Sequence, residues 1–168
     1  MFNDDVQLAV IGEFVVCNAL LEMRGTRQVH DVRYDKRFQE WDVDFLVEDA
    51  NRQFTWLEVK TDWKTFTTGN VIFETESNGN PGCLERTKAD YVAYFVPQSG
   101  NIYMCNTEAL RRCVRKFDYP VRPMGDNARG MIVPLGDLER LGVVQKMIKT
   151  TPLQIERKQH DERERIDY

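Results

Sequence analysis

The chain has 168 residues, 42% hydrophobic and 30% charged, with a formal charge of -4. That length suits one globular core and is short for two domains, and the net negative charge excludes a protein that holds nucleic acid by positive charge over its whole surface. The acidic opening MFNDDVQ does not resemble a signal peptide and no apolar run approaches bilayer thickness, so a soluble, intracellular protein without a membrane partner is expected.

In chain order, apolar residues recur at helical spacing from about Asp4 to Met23, with Gly25 as a stop signal. Gln7, Asn18 and Glu22 gather on one wet edge of this helix. Glu13 stands apart among Ala9, Val10, Val16, Cys17 and Leu20, a costly place for a carboxylate unless a proton, a cation or donors meet it. Gly12 beside it leaves room for an approach. The stretch WDVDFLV (41–47) alternates, placing Trp41, Val43, Phe45 and Val47 on one face and Asp42 and Asp44 on the other. The turn-prone EDANRQ joins it to FTWLEVK (54–60) as a hairpin.

The polar loop TDWKTFTTG leads to a third strand, NVIFETES, and SNGNPG reads as loop. At Thr87 a T-K-A-D capping pattern predicts a short helix-like turn, running into a strand at Tyr91–Val96 and another at NIYMCN. Thr107 is placed to cap the helix EALRRCVRKF. PVRPMGDNARG reads as a long loop, MIVPL as a strand, and Asp137 as the cap of a final helix reaching about Ile148. The predicted organisation is one domain over residues 1–150, an α/β (α+β) mixed sheet with flanking helices, followed by a charged tail over 151–168. Cys17, Cys83, Cys105 and Cys113 form no C-x-x-C pair, which argues against a zinc knuckle or a disulfide framework.

Asp44, Glu58, Lys60 and Glu13 would each be expensive to bury alone. Carboxylates brought close together need a counter-charge, and a hard divalent cation takes oxygen ligands of this kind. Such a cation, holding a phosphate oxygen and a water, activates the water for attack. The Lys60 ammonium would orient that water or offset charge developing on phosphorus, so the assembled chemistry is phosphodiester hydrolysis. Each signal also has a plain structural reading: a half-exposed strand can alternate Glu, Val and Lys toward solvent, hairpin acids are common, and Glu13 can pair with an arginine such as Arg33.

In this order of residues the chain resembles the PD-(D/E)XK nuclease superfamily. The resemblance rests on Asp44 before the apolar Phe45-Leu46-Val47, Glu58-Val59-Lys60 fourteen residues further on, and Glu13 on an N-terminal helix. Within that group it is most similar to Holliday junction resolvase-like and phage-encoded endonucleases, in part through GNVIFETES and TKADYVAYF. The resemblance implies a restriction-endonuclease-like αβββαβ core and a magnesium-dependent DNA endonuclease, with manganese as a substitute ion. It also implies a cytoplasmic setting in a bacterium or phage-infected cell and a role in DNA recombination or repair. By the same analogy Glu13, Asp44 and Glu58 are the metal-binding acids and Lys60 the catalytic lysine. Val43 replaces the family's proline, which leaves Asp42 as a rival to Asp44.

Branched DNA is one substrate this implies, and resolving a junction by two cuts would require a homodimer, formed through a short edge strand or the final helix with Val143, Val144, Met147 and Ile148. An exonuclease, a restriction or nicking enzyme of the same fold, and an inactive nucleic-acid-binding module are the alternatives. Arg33, Lys36, Arg37, Lys64, Lys88, Arg122 and Arg129 are the candidate phosphate contacts, with Tyr34 and Phe38 interleaved among the first three. Arg24 and Arg27 extend that basic stretch, and Arg111, Arg112, Arg115 and Lys116 form a second. Glu74 is an outer acid of the site or a surface ion-pair partner, Thr87 and Asp90 read as helix-cap residues, and His30 reads as a surface residue. Core packing is expected of at least one of Trp56 and Trp63.

Overall fold

The computed structural model describes residues 4–125 and 127–154. It begins with helix α1 (Asp4–Leu21), strand β1 (Thr26–Asp31), helix α2 (Lys36–Glu40), strands β2 (Phe45–Asp49) and β3 (Phe54–Thr61), and helix α3 (Lys64–Thr68). Strands β4 (Asn70–Ser77) and β5 (Asn80–Pro81), helix α4 (Cys83–Arg86), strands β6 (Tyr91–Val96) and β7 (Asn101–Asn106) and helix α5 (Thr107–Lys116) follow. The described chain closes with strands β8 (Val121–Pro123) and β9 (Ala128–Pro134), helix α6 (Leu135–Arg140) and strand β10 (Val144–Lys149). Most of the tail expected from residue 151 lies outside the described residues. No helix among the described residues is long and apolar enough to cross a membrane.

The six-stranded main sheet has the order β1-β2-β3-β6-β7-β10, antiparallel except for the parallel pair β3–β6. Helices flank this mixed sheet, as the alternation of element types predicts. Strand β6 shows why its sequence is nearly all apolar: a strand buried on both faces reads as a continuous hydrophobic run. Ala93 and Phe95 join the core under α1, with Val16, Ala19, Leu20, Phe45, Val47, Leu57 and Val59. Val92, Tyr94 and Val96 join the core on the opposite face, with Val71, Phe73, Leu84, Leu110, Val133 and Leu138. That second core is closed by a four-stranded sheet of order β5-β4-β9-β8, so the strand NVIFETES forms as predicted but in a different sheet from its hairpin neighbours.

At Gly12 the backbone of α1 lies close against Thr61 of β3. A Cβ at this position would sit 1.8 Å from the Thr61 hydroxyl oxygen, so only glycine permits this approach. The outer side of the helix carries Gln7 and Asn18 as predicted, Glu22 is exposed just past its end, and Val10, Ile11, Phe14 and Leu21 are exposed as well.

Several predicted elements change. Residues 26–31, part of the basic stretch, form edge strand β1, held by its pairing with β2. The lead-in 41–44 is not strand, because Asp42 adopts a left-handed φ of 46° and breaks the alternation that would have placed Trp41 beside Val43. Residues 64–68 of the polar loop form α3. Thr87 follows helix α4 rather than starting one, and the side chain capping α5 is Asn106, which accepts from the Ala109 amide, one residue before the predicted Thr107. The predicted loop 120–130 includes β8 and the first residues of β9, which pair as a hairpin. The predicted final helix stops at Arg140, and Gly142 turns the chain with a φ of 69°. Residues 144–149 then add strand β10 at the edge beside β7, so the helical face expected to carry a dimer contact does not form.

Candidate active site

Strand β3 sorts its side chains by alternation. Leu57 and Val59 enter the core under α1, so Trp56, Glu58 and Lys60 point to the other face. There Glu58 lies in register with Val92 and Lys60 with Tyr94. Two charged groups therefore enter a layer that is otherwise apolar. Glu58 is 3% exposed, and its Oε1 pairs with the Lys60 ammonium at 2.7 Å. Its other oxygen, Oε2, is buried with no hydrogen-bond partner among the described residues. Burial pushes the Glu58 carboxyl above its usual range, against the pull of Lys60. Burial works against the Lys60 charge, but Glu58 more than compensates and the ammonium is held charged. The Lys60 side chain is still 39% exposed, so the pair has one dry end and one wet end.

Asp44 stands where β2 begins. Its amide donates to the Leu57 carbonyl at 2.8 Å, and its Oδ2 accepts from the Val59 amide at 2.7 Å. A carboxylate thereby takes the place of a strand carbonyl opposite β3. Burial raises its pKa to about 6, and the Glu13 charge acts in the same direction, against the Val59 amide, Lys60 and Arg33. Glu13 itself pairs with Arg33, which also forks onto Asp31 through Nε at 2.9 Å and Nη2 at 2.6 Å. The arginine partner foreseen as the alternative for Glu13 is the one the structure adopts.

The four candidate residues thus form two linked groups. Asp44 feels the Glu13 charge, Glu58 is influenced by Asp42, and Lys60 feels both Asp44 and Glu58. Among the described residues no three His, Cys, Asp or Glu side chains gather closely enough to hold a metal ion. The rival Asp42 is engaged by Arg86, whose Nε donates to Oδ2 at 2.9 Å and Nη2 to Oδ1 at 3.3 Å. The Thr87 hydroxyl donates to the Asp42 carbonyl at 2.8 Å and is also the weakest of the influences favouring the charged form of Glu58, but it makes no hydrogen bond to Oε2.

Of the other candidates, Lys36, Arg37 and Lys88 are exposed, the first two on α2 and the third just after α4. Arg37 pairs with Asp35. Arg33 is occupied by its two carboxylates. Lys64 is exposed at the start of α3, and Arg122 and Arg129 are exposed on the smaller sheet. Asp90 is not a helix cap: its carboxylate accepts from the Trp56 amide at 2.8 Å. His30 lies on β1 against Glu48 and Phe54. Glu74 lies on β4, and its carbonyl faces the thiol of Cys83, a residue that sequence reasoning passed over. Cys83 is buried beside Lys60 and Glu58, and burial pushes its thiol up to about 11.

Sequence reasoning also missed the stacking of Trp41 on Trp56, with ring centroids 5.7 Å apart and planes 14° from parallel. Phe38 meets both rings edge-on. The aromatic density of residues 38–56 was the available signal.

No protein-family profile and no curated protein matches the chain. Among solved structures it is similar to a bacterial homing endonuclease, I-Ssp6803I, at 13% identity and a TM-score of 0.45, over 97% of this chain and 86% of that one.

Proposed function

We propose that the chain is a divalent-metal-dependent DNA endonuclease in which Asp44 and Glu58 hold the ion and Lys60 is the catalytic lysine. The observation that carries this reading is the Glu58 carboxylate, buried, tied through one oxygen to Lys60, and left with a second oxygen that has no hydrogen-bond partner among the described residues. A buried polar atom in that condition is costly, and a cation relieves it. The donor set is hard oxygen, and magnesium commonly uses one or two carboxylates, completing its shell with water and substrate phosphate, so two acids suffice.

Bound there, magnesium or manganese would polarise a phosphodiester and lower the pKa of an attacking water. The protein's own part is electrostatic. Lys60, kept protonated by Glu58, places a fixed positive charge where negative charge grows on phosphorus. Glu13 acts at a distance, through its charge on Asp44, while Arg33 holds it in place. The exposed Lys36, Arg37 and Lys88 supply phosphate contacts on an otherwise acidic chain.

The test is cleavage of a labelled four-way junction and a matched linear duplex, with magnesium and with chelator, by the wild type and by Lys60→Ala and Asp44→Asn. Cleavage only with the metal, lost in both variants, supports the reading. Cleavage that persists in chelator or in the lysine variant refutes it, and binding without cleavage of any substrate favours an inactive binding module. The branched-DNA version further requires two copies of the chain, and a strict monomer in sedimentation with junction bound would remove it.

A further inference from the structure

We propose that the stacked Trp41–Trp56 pair is a platform for an unpaired nucleobase, so that the bond presented to Glu58 and Lys60 is one flanked by an unstacked nucleotide. The proposal deepens the nuclease reading and rests on it for the role of that bond. It starts from placement. Trp56 precedes Glu58 by two residues on the same face of β3, a separation of roughly 7 Å along a strand. Trp41 lies over Trp56 and is 36% exposed. A strand of nucleic acid with one base on the outer ring would have its backbone beside the buried acid, whose Oε2 has no hydrogen-bond partner among the described residues.

The platform is braced from beneath. The Trp41 amide donates to the Phe38 carbonyl at 3.1 Å, and its own carbonyl accepts from the Lys88 amide at 2.8 Å. Its neighbour Asp42 is held in a left-handed conformation by the Arg86 fork and the Thr87 hydroxyl. Trp56 exchanges backbone contacts with Asp90, donating its amide to the carboxylate and accepting the Asp90 amide on its carbonyl. These bonds hold a large apolar surface in one orientation at the edge of the protein, where a base can reach it without reorganisation. The 5.7 Å between centroids leaves no room for a base between the indoles, so the contact surface is the outer face of Trp41.

Charge favours a nucleic-acid occupant. Lys36 and Arg37 precede Phe38, with Arg37 paired to Asp35, Lys88 is bonded to Trp41 through its backbone, and all three side chains are exposed. Aromatic surface beside the exposed Lys36 and Lys88 suits bases that stack and phosphates that pair. A base inside an intact duplex cannot reach such a surface, so the platform selects a single strand, a flap or a junction, where bases are already free or cheaply freed.

The test is binding, measured in chelator by fluorescence anisotropy of three labelled probes: a short single-stranded oligonucleotide, an abasic strand of the same length and charge, and the blunt duplex. Wild type should bind the base-bearing strand roughly tenfold more tightly than the abasic one, the size of one base stacking on an aromatic ring. Trp41→Ala should erase that ratio and Trp41→Phe should keep most of it, with circular dichroism confirming the fold of each. Equal affinity of wild type for the two strands overturns the proposal. So does an unchanged ratio in Trp41→Ala, the result expected if the stack only shields Glu58 from water. Cleavage with magnesium is scored separately. Base-dependent binding by a chain that cuts nothing overturns the nuclease reading alone, whereas cutting with base-independent binding overturns the platform alone.

Discussion

Replacing Lys60 with methionine isolates the electrostatic core of the site. The substitution keeps the length of the aliphatic stem and removes the ammonium 2.7 Å from Glu58 Oε1, leaving a carboxylate that is 3% exposed without its cation. Losing one partner of a fully buried pair costs about 3–5 kcal/mol. The Lys60 side chain is 39% exposed, so water already screens its end of the pair, and a loss of about 2–3 kcal/mol is the better figure. For a chain of this size that is roughly 6–10 °C in Tm.

The loss should also depend on pH, in a definite direction. Burial already raises the Glu58 carboxyl, and Lys60 opposes that rise. Without Lys60 the folded-state pKa climbs further above the unfolded value. A group of this kind favours folding below its unfolded pKa and loses that contribution as pH rises through its folded pKa. Urea unfolding should therefore show a gap between wild type and Lys60→Met that is large at pH 8 and shrinks toward pH 5. Millimolar magnesium should narrow the gap at pH 8, because the ion is held more tightly by a carboxylate that has lost its ammonium and so stabilises the folded variant more than the wild type by mass action. A gap equal at both pH values, or no gap, would refute the account of Glu58 as a charge dependent on its lysine.

Asp44 gives a second pH signature: with a folded pKa of about 6 and an ordinary unfolded value, it should withdraw about 3 kcal/mol of stability as pH rises through the interval between them. Without divalent ions, the difference between the urea stabilities of wild type and Asp44→Asn should change over that interval, and parallel curves would contradict it. Arg33→Met leaves Glu13 and Asp31 facing each other without their cation and should cost about 1–3 kcal/mol at pH 7. Arg33 depresses the Asp31 pKa, so the cost should hold down to the ordinary carboxylate range and fade only as pH falls below it toward the depressed folded value, and a loss that does not shrink at all at the acid limit of folding would point to packing instead. Gly12→Ala drives a methyl into Thr61 and should cost about 1–3 kcal/mol as overpacking, partly restored by adding Thr61→Ala, with thermal unfolding as the readout and an additive double variant as the contrary result.

Legibility in the sequence followed the reach of the forces involved. Strands 91–96 and 101–106 were readable to the residue because their apolar content admits only burial on both faces. The pattern at Val143, Val144, Met147 and Ile148 suits a helix as well as a strand, and only pairing with β7 decides it. Strand 26–31 carries a single aliphatic residue, Val29, so its extended form depends on β2 rather than on its own composition. At the site, the alternation of 56, 58 and 60 was visible, as was the oddity of a carboxylate at position 13. Whether the acids would meet was not, because that depends on partners far along the chain. Arg33 takes Glu13, Arg86 takes Asp42, and the Val59 amide takes one oxygen of Asp44. The stack of Trp41 on Trp56 was hidden for a similar reason, since the left-handed turn at Asp42 that swings Trp41 over β3 has no signature in an alternating stretch.

The parallel pairing of β3 with β6 sets the order in which this site can be completed. Glu58 and its register partner Val92 are 34 positions apart, whereas β2 and β3 are joined by a short turn. Closing the longer loop costs more chain entropy, and non-local parallel contacts are slow to form. A nascent chain that has reached residue 60 already carries Glu13, Asp44, Glu58 and Lys60, yet all four are still in water. The low-dielectric wall that buries Glu58 and raises its carboxyl pKa is translated only afterwards, so synthesis delivers the charged groups first and their dry surroundings last.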